Sequence, residues 1–172
     1  MLTENGLLLV ALTKSPEFPM NVLEVLNIDC VKVPLVAHDK RGVISELVDA
    51  LGASGAVADV EAVKQIVWQR EAQRSTGIGE GLALPHGKSP SVKRIAMAIG
   101  KPAQPMEYDS IDKKPVRLIV LLVSPPEAVS EHIQALGRVS RLMTNPEFRE
   151  KLYSSQSADA LYSLFRKAET AE

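Results

Sequence analysis

Residues 115–124 read Pro-Val-Arg-Leu-Ile-Val-Leu-Leu-Val-Ser, an almost continuous apolar run broken by Arg117. It falls far short of the ~20 residues a membrane-spanning helix needs. As an extended segment it sends successive side chains to opposite faces, so apolarity at nearly every position requires cover on both. A chain containing this segment needs a sheet with its central strand here and helices on each side.

The remaining pattern supplies those helices. Asp39 is placed to cap a helix on which Val43, Ile44, Leu47, Val48 and Leu51 fall at helical spacing, with Gly52 as its stop. Asp59 starts a second helix, in which Val60, Val63 and Val67 share a face. It runs to about Arg74 and carries Arg70 near its last turn. A third helix is expected from about Glu127 to Met143, with Val129, Ile133, Leu136 and Met143 facing inward. Asn145-Pro146 is a cap and first turn for a short helix containing Phe148 and Leu152. Ser157 caps the last helix, which turns Leu161, Leu164 and Phe165 inward. Residues 94–99 read as another strand and 82–84 as a short one, followed by Pro85, which removes a ladder donor. Strands and helices alternate, as in an α/β domain whose sheet is covered by helices.

A length of 172 residues suits one domain, placed here at 20–172. Residues 1–19 are expected to be an N-terminal extension, and Met20 is an alternative start. The apolar stretch 6–12 follows Glu4 and lacks basic residues. It leads into Thr13-Lys14-Ser15-Pro16 without a small-residue cleavage site, so it reads as a short strand or appended segment rather than a leader.

Twenty basic residues face 21 acidic ones, a net charge of −1, which removes the general attraction of a nucleic-acid binder or a polybasic membrane protein. Aromatics at 4% leave little for base stacking. One cysteine, Cys30, cannot form an internal disulfide, which fits the reducing cytoplasm. No nucleotide-binding glycine motif, metal-ligand spacing or Gly-x-Ser-x-Gly elbow is present.

Three histidines remain as candidates, His38, His86 and His132. His86 follows Leu84-Pro85 and is presented from a strand end on a glycine-bounded loop, with a ring nitrogen free to accept a group. The same segment also reads simply as a strand and a turn. His132 lies on or beside the apolar face of its helix and reads first as a core histidine. Arg70 is either a solvated charge near a helix C-terminus or a forked donor for a phosphoryl group. His38 has no distinguishing neighbours and reads as surface.

Arg70-Glu71, then Ser75-Thr76-Gly77-Ile78-Gly79, then Gly81-Leu82-Ala83-Leu84-Pro85-His86-Gly87-Lys88 resemble the active-site segment of one family. These are the fructose/mannitol-type enzyme IIA domains of the bacterial phosphoenolpyruvate-dependent phosphotransferase system, a group that includes nitrogen-regulatory IIA proteins. The similarity runs from about Met20 to the C-terminus. It implies a mixed sheet flanked by helices on both faces, and a phosphoryl group received on His86 from the phosphohistidine of an HPr-like carrier. It also implies supporting roles for Arg70 and for His132, which becomes a second active-site histidine. Gln134 stands where relatives often carry a further histidine.

Donors to the phosphoryl oxygens are then expected from Arg70, Thr76, the amide of Gly77 and His132. Transfer between imidazoles requires positioning and charge neutralisation, with no cofactor or metal. Two roles remain: a regulatory, nitrogen-type protein whose partner depends on phosphorylation, or a transport component passing phosphate to a IIB cysteine. The Pro-His-Gly-Lys sequence favours the first.

Overall fold

The structure, a computed structural model, describes residues 20–170. The readings of stretch 6–12 and of the extension 1–19 fall outside those residues. After a 3-10 turn at Val22–Glu24 come strand β1 (Leu26–Leu35) and helices α1 (Lys40–Ala53) and α2 (Val60–Gln73). Short strands β2 (Gly77–Gly79), β3 (Leu82–Ala83) and β4 (His86–Lys88) follow, then β5 (Ala96–Pro102) and β6 (Leu118–Ser124). Helices α3 (Val129–Leu142), α4 (Pro146–Tyr153) and α5 (Ala158–Thr170) complete the chain.

The six strands form one mixed sheet in the order β1-β5-β6-β3-β2, with β4 also paired to β6. β6 is the central strand that its apolarity requires, antiparallel to β5 on one edge and parallel to β3 and β4 on the other. Its side chains alternate between two cores. Ile119, Leu121 and Val123 meet α1 and α2, whereas Leu118, Val120 and Leu122 meet α3, α4 and α5. β5 does the same, with Ala96 and Ala98 on the first side and Met97 and Ile99 on the second. All seven residues of β6 are buried, so truncation there leaves a void. Leu121→Ala, at 0% exposure, is expected to cost about 2–5 kcal/mol in urea unfolding.

Helix starts follow their caps: Asp39 and Asp59 accept the amides of Gly42 and Ala62, Asn145 those of Glu147 and Phe148, and Ser157 that of Ala160. Two expectations shift, and one strand goes unread. Gly52 lies inside α1, which ends where the Ser54 amide bonds back to Ala50 and its hydroxyl to Leu51. The inward face of α3 is rotated by one residue: His132, Ala135, Val139 and Leu142 are buried, while Val129 and Ile133 are exposed. Packing against β6 carries His132 inward, where it meets buried Ser124. β1 is announced by no periodicity, because register shifts against β5 disturb its alternation. Its Pro34 is tolerated because β1 is an edge strand.

Candidate active site

Strand β6 receives two successive parallel partners. Leu82–Ala83 pair with Leu118 and Ile119, and His86–Lys88 with Leu122, Val123 and Ser124. Between them Pro85 has no N–H, and the ladder breaks there. His86 therefore opens a short strand rather than sitting on a free loop, and it is half-buried. Gly87 permits this placement: a Cβ there would meet Ile66 Cγ2 at 3.1 Å and Val67 Cγ2 at 3.2 Å on α2.

The break also turns the Leu84 carbonyl towards the His86 ring, 2.8 Å from Nδ1. A carbonyl only accepts, so Nδ1 carries the proton and Nε2 keeps its lone pair. Burial, opposed by the bond to Leu84 and reinforced by the charge of Arg70, holds the ring below the ordinary histidine pKa. The imidazole is neutral at physiological pH, the form that can attack.

His132 comes from α3 to face it, with ring centroids 5.5 Å apart in an edge arrangement. Its Nδ1 lies 2.7 Å from the hydroxyl of Ser124 at the end of β6. Burial, with the charges of His86 and Lys88, pushes His132 down to about 4. Between that value and the unfolded value of about 6.5 the unfolded chain binds more protons than the folded one, so acid costs stability. Stability is expected to fall as pH drops through this window, and His132→Gln to flatten the fall, measured as urea midpoints of both proteins.

Arg70, in the last turn of α2, donates from Nη1 to the Arg74 carbonyl at 3.0 Å. Arg70, Arg74 and His86 share a depression of about 200 Å³ with Ile78, Ile111 and Leu136. Three larger depressions, one between α1 and α2, one among α3, α4 and α5, and one between the β2–β3 turn and α4, contain no histidine. Two apolar residues of the His86 depression are open to solvent: Ile78 is 46% and Ile111 60% exposed.

Thr76 lines the depression, yet both of its donors are committed elsewhere. Its amide reaches Glu71 Oε1 at 2.9 Å and its hydroxyl donates to Glu71 Oε2. The Gly77 amide donates to Ser75 Oγ at 3.2 Å. The structure thus brings together His86, His132 and Arg70, and sets Thr76 and Gly77 in the loop beneath, with their donors turned inward. His38 is exposed and stands apart, and Gln134 donates to Ser130 along its own helix.

Sequence reasoning did not single out Ser124, Glu71 or Lys40. Ser124 carries a visible signal, as the polar residue closing an otherwise apolar strand. Lys40 carries none, because its 2.8 Å ion pair with Glu71 joins α1 to α2. Among the described residues no group of three or more His, Cys, Asp or Glu is placed to hold a metal ion. No described helix is long and apolar enough to cross a membrane.

A layered α/β domain with His86 at the start of β4, His132 in the first turns of α3 and Arg70 in the last turn of α2 defines a class, and comparison with known proteins specifies it. The profile described as "Phosphoenolpyruvate-dependent sugar phosphotransferase system, EIIA 2" matches residues 24–168. The chain belongs to this family of phosphotransferase-system EIIA components. It is 34% identical over 148 residues to the fructose-specific EIIABC component of Bacillus subtilis, covering 86% of this chain but only 23% of that protein. It is 31% identical to a nitrogen regulatory protein of Bradyrhizobium diazoefficiens, covering 84% of this chain and 94% of that one. The crystal structure of nitrogen regulatory protein IIA-Ntr from Neisseria meningitidis superposes with a TM-score of 0.76 at 27% identity, covering 83% of this chain and 97% of that one.

Proposed function

We propose that this protein is a cytoplasmic phosphocarrier of the phosphoenolpyruvate-dependent phosphotransferase system, with Nε2 of His86 as the phosphoryl acceptor and an HPr-like phosphohistidine protein as the donor. The observation that carries the reading is the Leu84 carbonyl on His86 Nδ1, which leaves Nε2 unprotonated beside Arg70.

The Nε2 lone pair forms the new N–P bond as the donor's N–P bond breaks, and the donor imidazole keeps the bonding pair. The proton stays on Nδ1, donated to the Leu84 carbonyl, throughout. Arg70 meets the phosphoryl oxygens with its forked donors, and His132 donates from Nε2–H when its Nδ1 accepts a hydrogen bond from the Ser124 hydroxyl. Thr76 and Gly77 act by shaping the loop. Because His86 sits below the ordinary histidine range, the rate of labelling is expected to hold as pH is lowered to about 6.5 and to fall only below it, as read from initial rates across pH.

Within that function the regulatory role is favoured. A phosphoryl group brings about −1.5 to −2 charges at neutral pH. Set among exposed Ile78 and Ile111, it replaces an apolar surface with a hydrated anion, so the two states suit different partners. The nitrogen regulatory relatives support this reading. The fructose-specific relative supports the second, in which a IIB cysteine takes the phosphoryl group on its way to a sugar. Incubating the phosphorylated protein with IIB-containing membranes and fructose or mannitol separates them. Retention of label on the protein is expected, and rapid transfer to sugar would favour transport.

A further inference from the structure

Glu71 is 2% exposed yet charged, and it occupies the last turn of α2, where the helix dipole disfavours a carboxylate. Its neighbour Arg70 turns to the depression around His86 while Glu71 turns beneath the Ser75–Gly77 loop. Three donors converge on it: Lys40 Nζ at 2.8 Å and the Thr76 amide at 2.9 Å on Oε1, and the Thr76 hydroxyl on Oε2. Lys40 is held in turn over the Tyr108 ring, 4.6 Å from its centroid.

From Thr76 the connection continues to the reacting ring. The Thr76 carbonyl accepts the Leu84 amide at 3.0 Å, and the Leu84 carbonyl accepts His86 Nδ1–H at 2.8 Å. Lys40, Glu71, Thr76, Leu84 and His86 therefore form one unbroken series of hydrogen bonds and ion pairs from α1 to the imidazole. Leu84 lies between the end of β3 and Pro85, and Thr76 holds its amide.

We propose that Glu71 is a positioning residue for phosphoryl transfer: by fixing Thr76 it fixes the Leu84 carbonyl, and so holds His86 in the tautomer whose Nε2 can attack. A ring released from that carbonyl divides between two tautomers, and in one of them Nε2 carries the proton and is inert. This role rests on His86 being the phosphoacceptor.

The test compares wild type, Glu71→Gln and His86→Ala in single-turnover and steady-state transfer from a phosphorylated HPr-like protein, alongside ring ¹⁵N spectra of His86. Glu71→Gln is expected to lower kcat by about 10–100-fold, a loss typical of misplaced reacting groups. The donor KM is expected to stay within about twofold, because the docking surface is untouched. The His86 ring spectrum is expected to move from the Nδ1–H form towards a mixture. Should Glu71→Gln fail to fold, Thr76→Val removes the hydroxyl donor alone and is expected to change rate and tautomer in the same direction. Wild-type kcat with an unchanged His86 tautomer in the folded variant would overturn the positioning role, as would a slower rate without a tautomer change. Labelling that survives in His86→Ala overturns the underlying reading instead, so the two failures are distinguishable.

Discussion

His86→Ala is expected to reduce phosphoenolpyruvate-dependent labelling to background while leaving the protein folded. The ring is half-buried, and its loss removes one bond to the Leu84 carbonyl and an edge contact with His132. That should cost about 1 kcal/mol in urea unfolding, within the ordinary range for such sites. Neighbouring groups offer no substitute. His132 has Nδ1 on Ser124 and is 3% exposed. A variant that keeps its unfolding midpoint but takes up no acid-labile phosphate separates chemistry from folding. Substantial labelling of the folded variant would show that the acceptor lies elsewhere.

Arg70→Ala carries the second large effect. A preorganised donor facing developing negative charge is worth about 10²–10³ in rate, and a guanidinium on a transferring phosphoryl group can be worth more. A loss of roughly 10²–10³ in the rate of transfer to His86 is expected, read by single-turnover kinetics. Arg70→Lys should recover part of it, since it keeps the charge but loses the planar fork. Stability should change little, because the Arg70 side chain donates to the Arg74 carbonyl at the end of its own helix. If Arg70→Ala transferred at the wild-type rate, its place beside His86 would be incidental.

Much of this architecture is legible in the chain. The apolar run at 115–124 has one solution, a central strand serving two cores, and β6 divides its side chains between them. Asp39, Asp59, Asn145 and Ser157 mark helix starts because capping is local chemistry. Where the determinant is distant, the sequence is silent. β1 pairs in an interrupted register that leaves no clean alternation, and α3 takes its orientation from what it packs against. Val129 and Ile133 look like core residues by spacing, but the structure leaves them exposed on the helix that carries His132.

The site follows the same division. Pro85-His86-Gly87 is a local pattern, and its consequences are local: a broken ladder, a turned Leu84 carbonyl and a close approach of α2 to Gly87. Thr76 shows the limit. Its type suits a phosphate donor, but Glu71 takes both of its protons, a contact that only the folded loop creates. Ser124 and Lys40 reach the site through pairings across the fold, which no spacing encodes.

The most direct measurement of the central claim is the position of the phosphoryl group itself. The protein is labelled with phosphoenolpyruvate and its donor proteins, kept alkaline, and analysed by phosphorus and ring-nitrogen NMR together with peptide mapping. One acid-labile phosphoryl group on Nε2 of His86 is the expected result, because Leu84 occupies the other nitrogen. Phosphate on Nδ1 of His86, on His132, or on no histidine at all would contradict it.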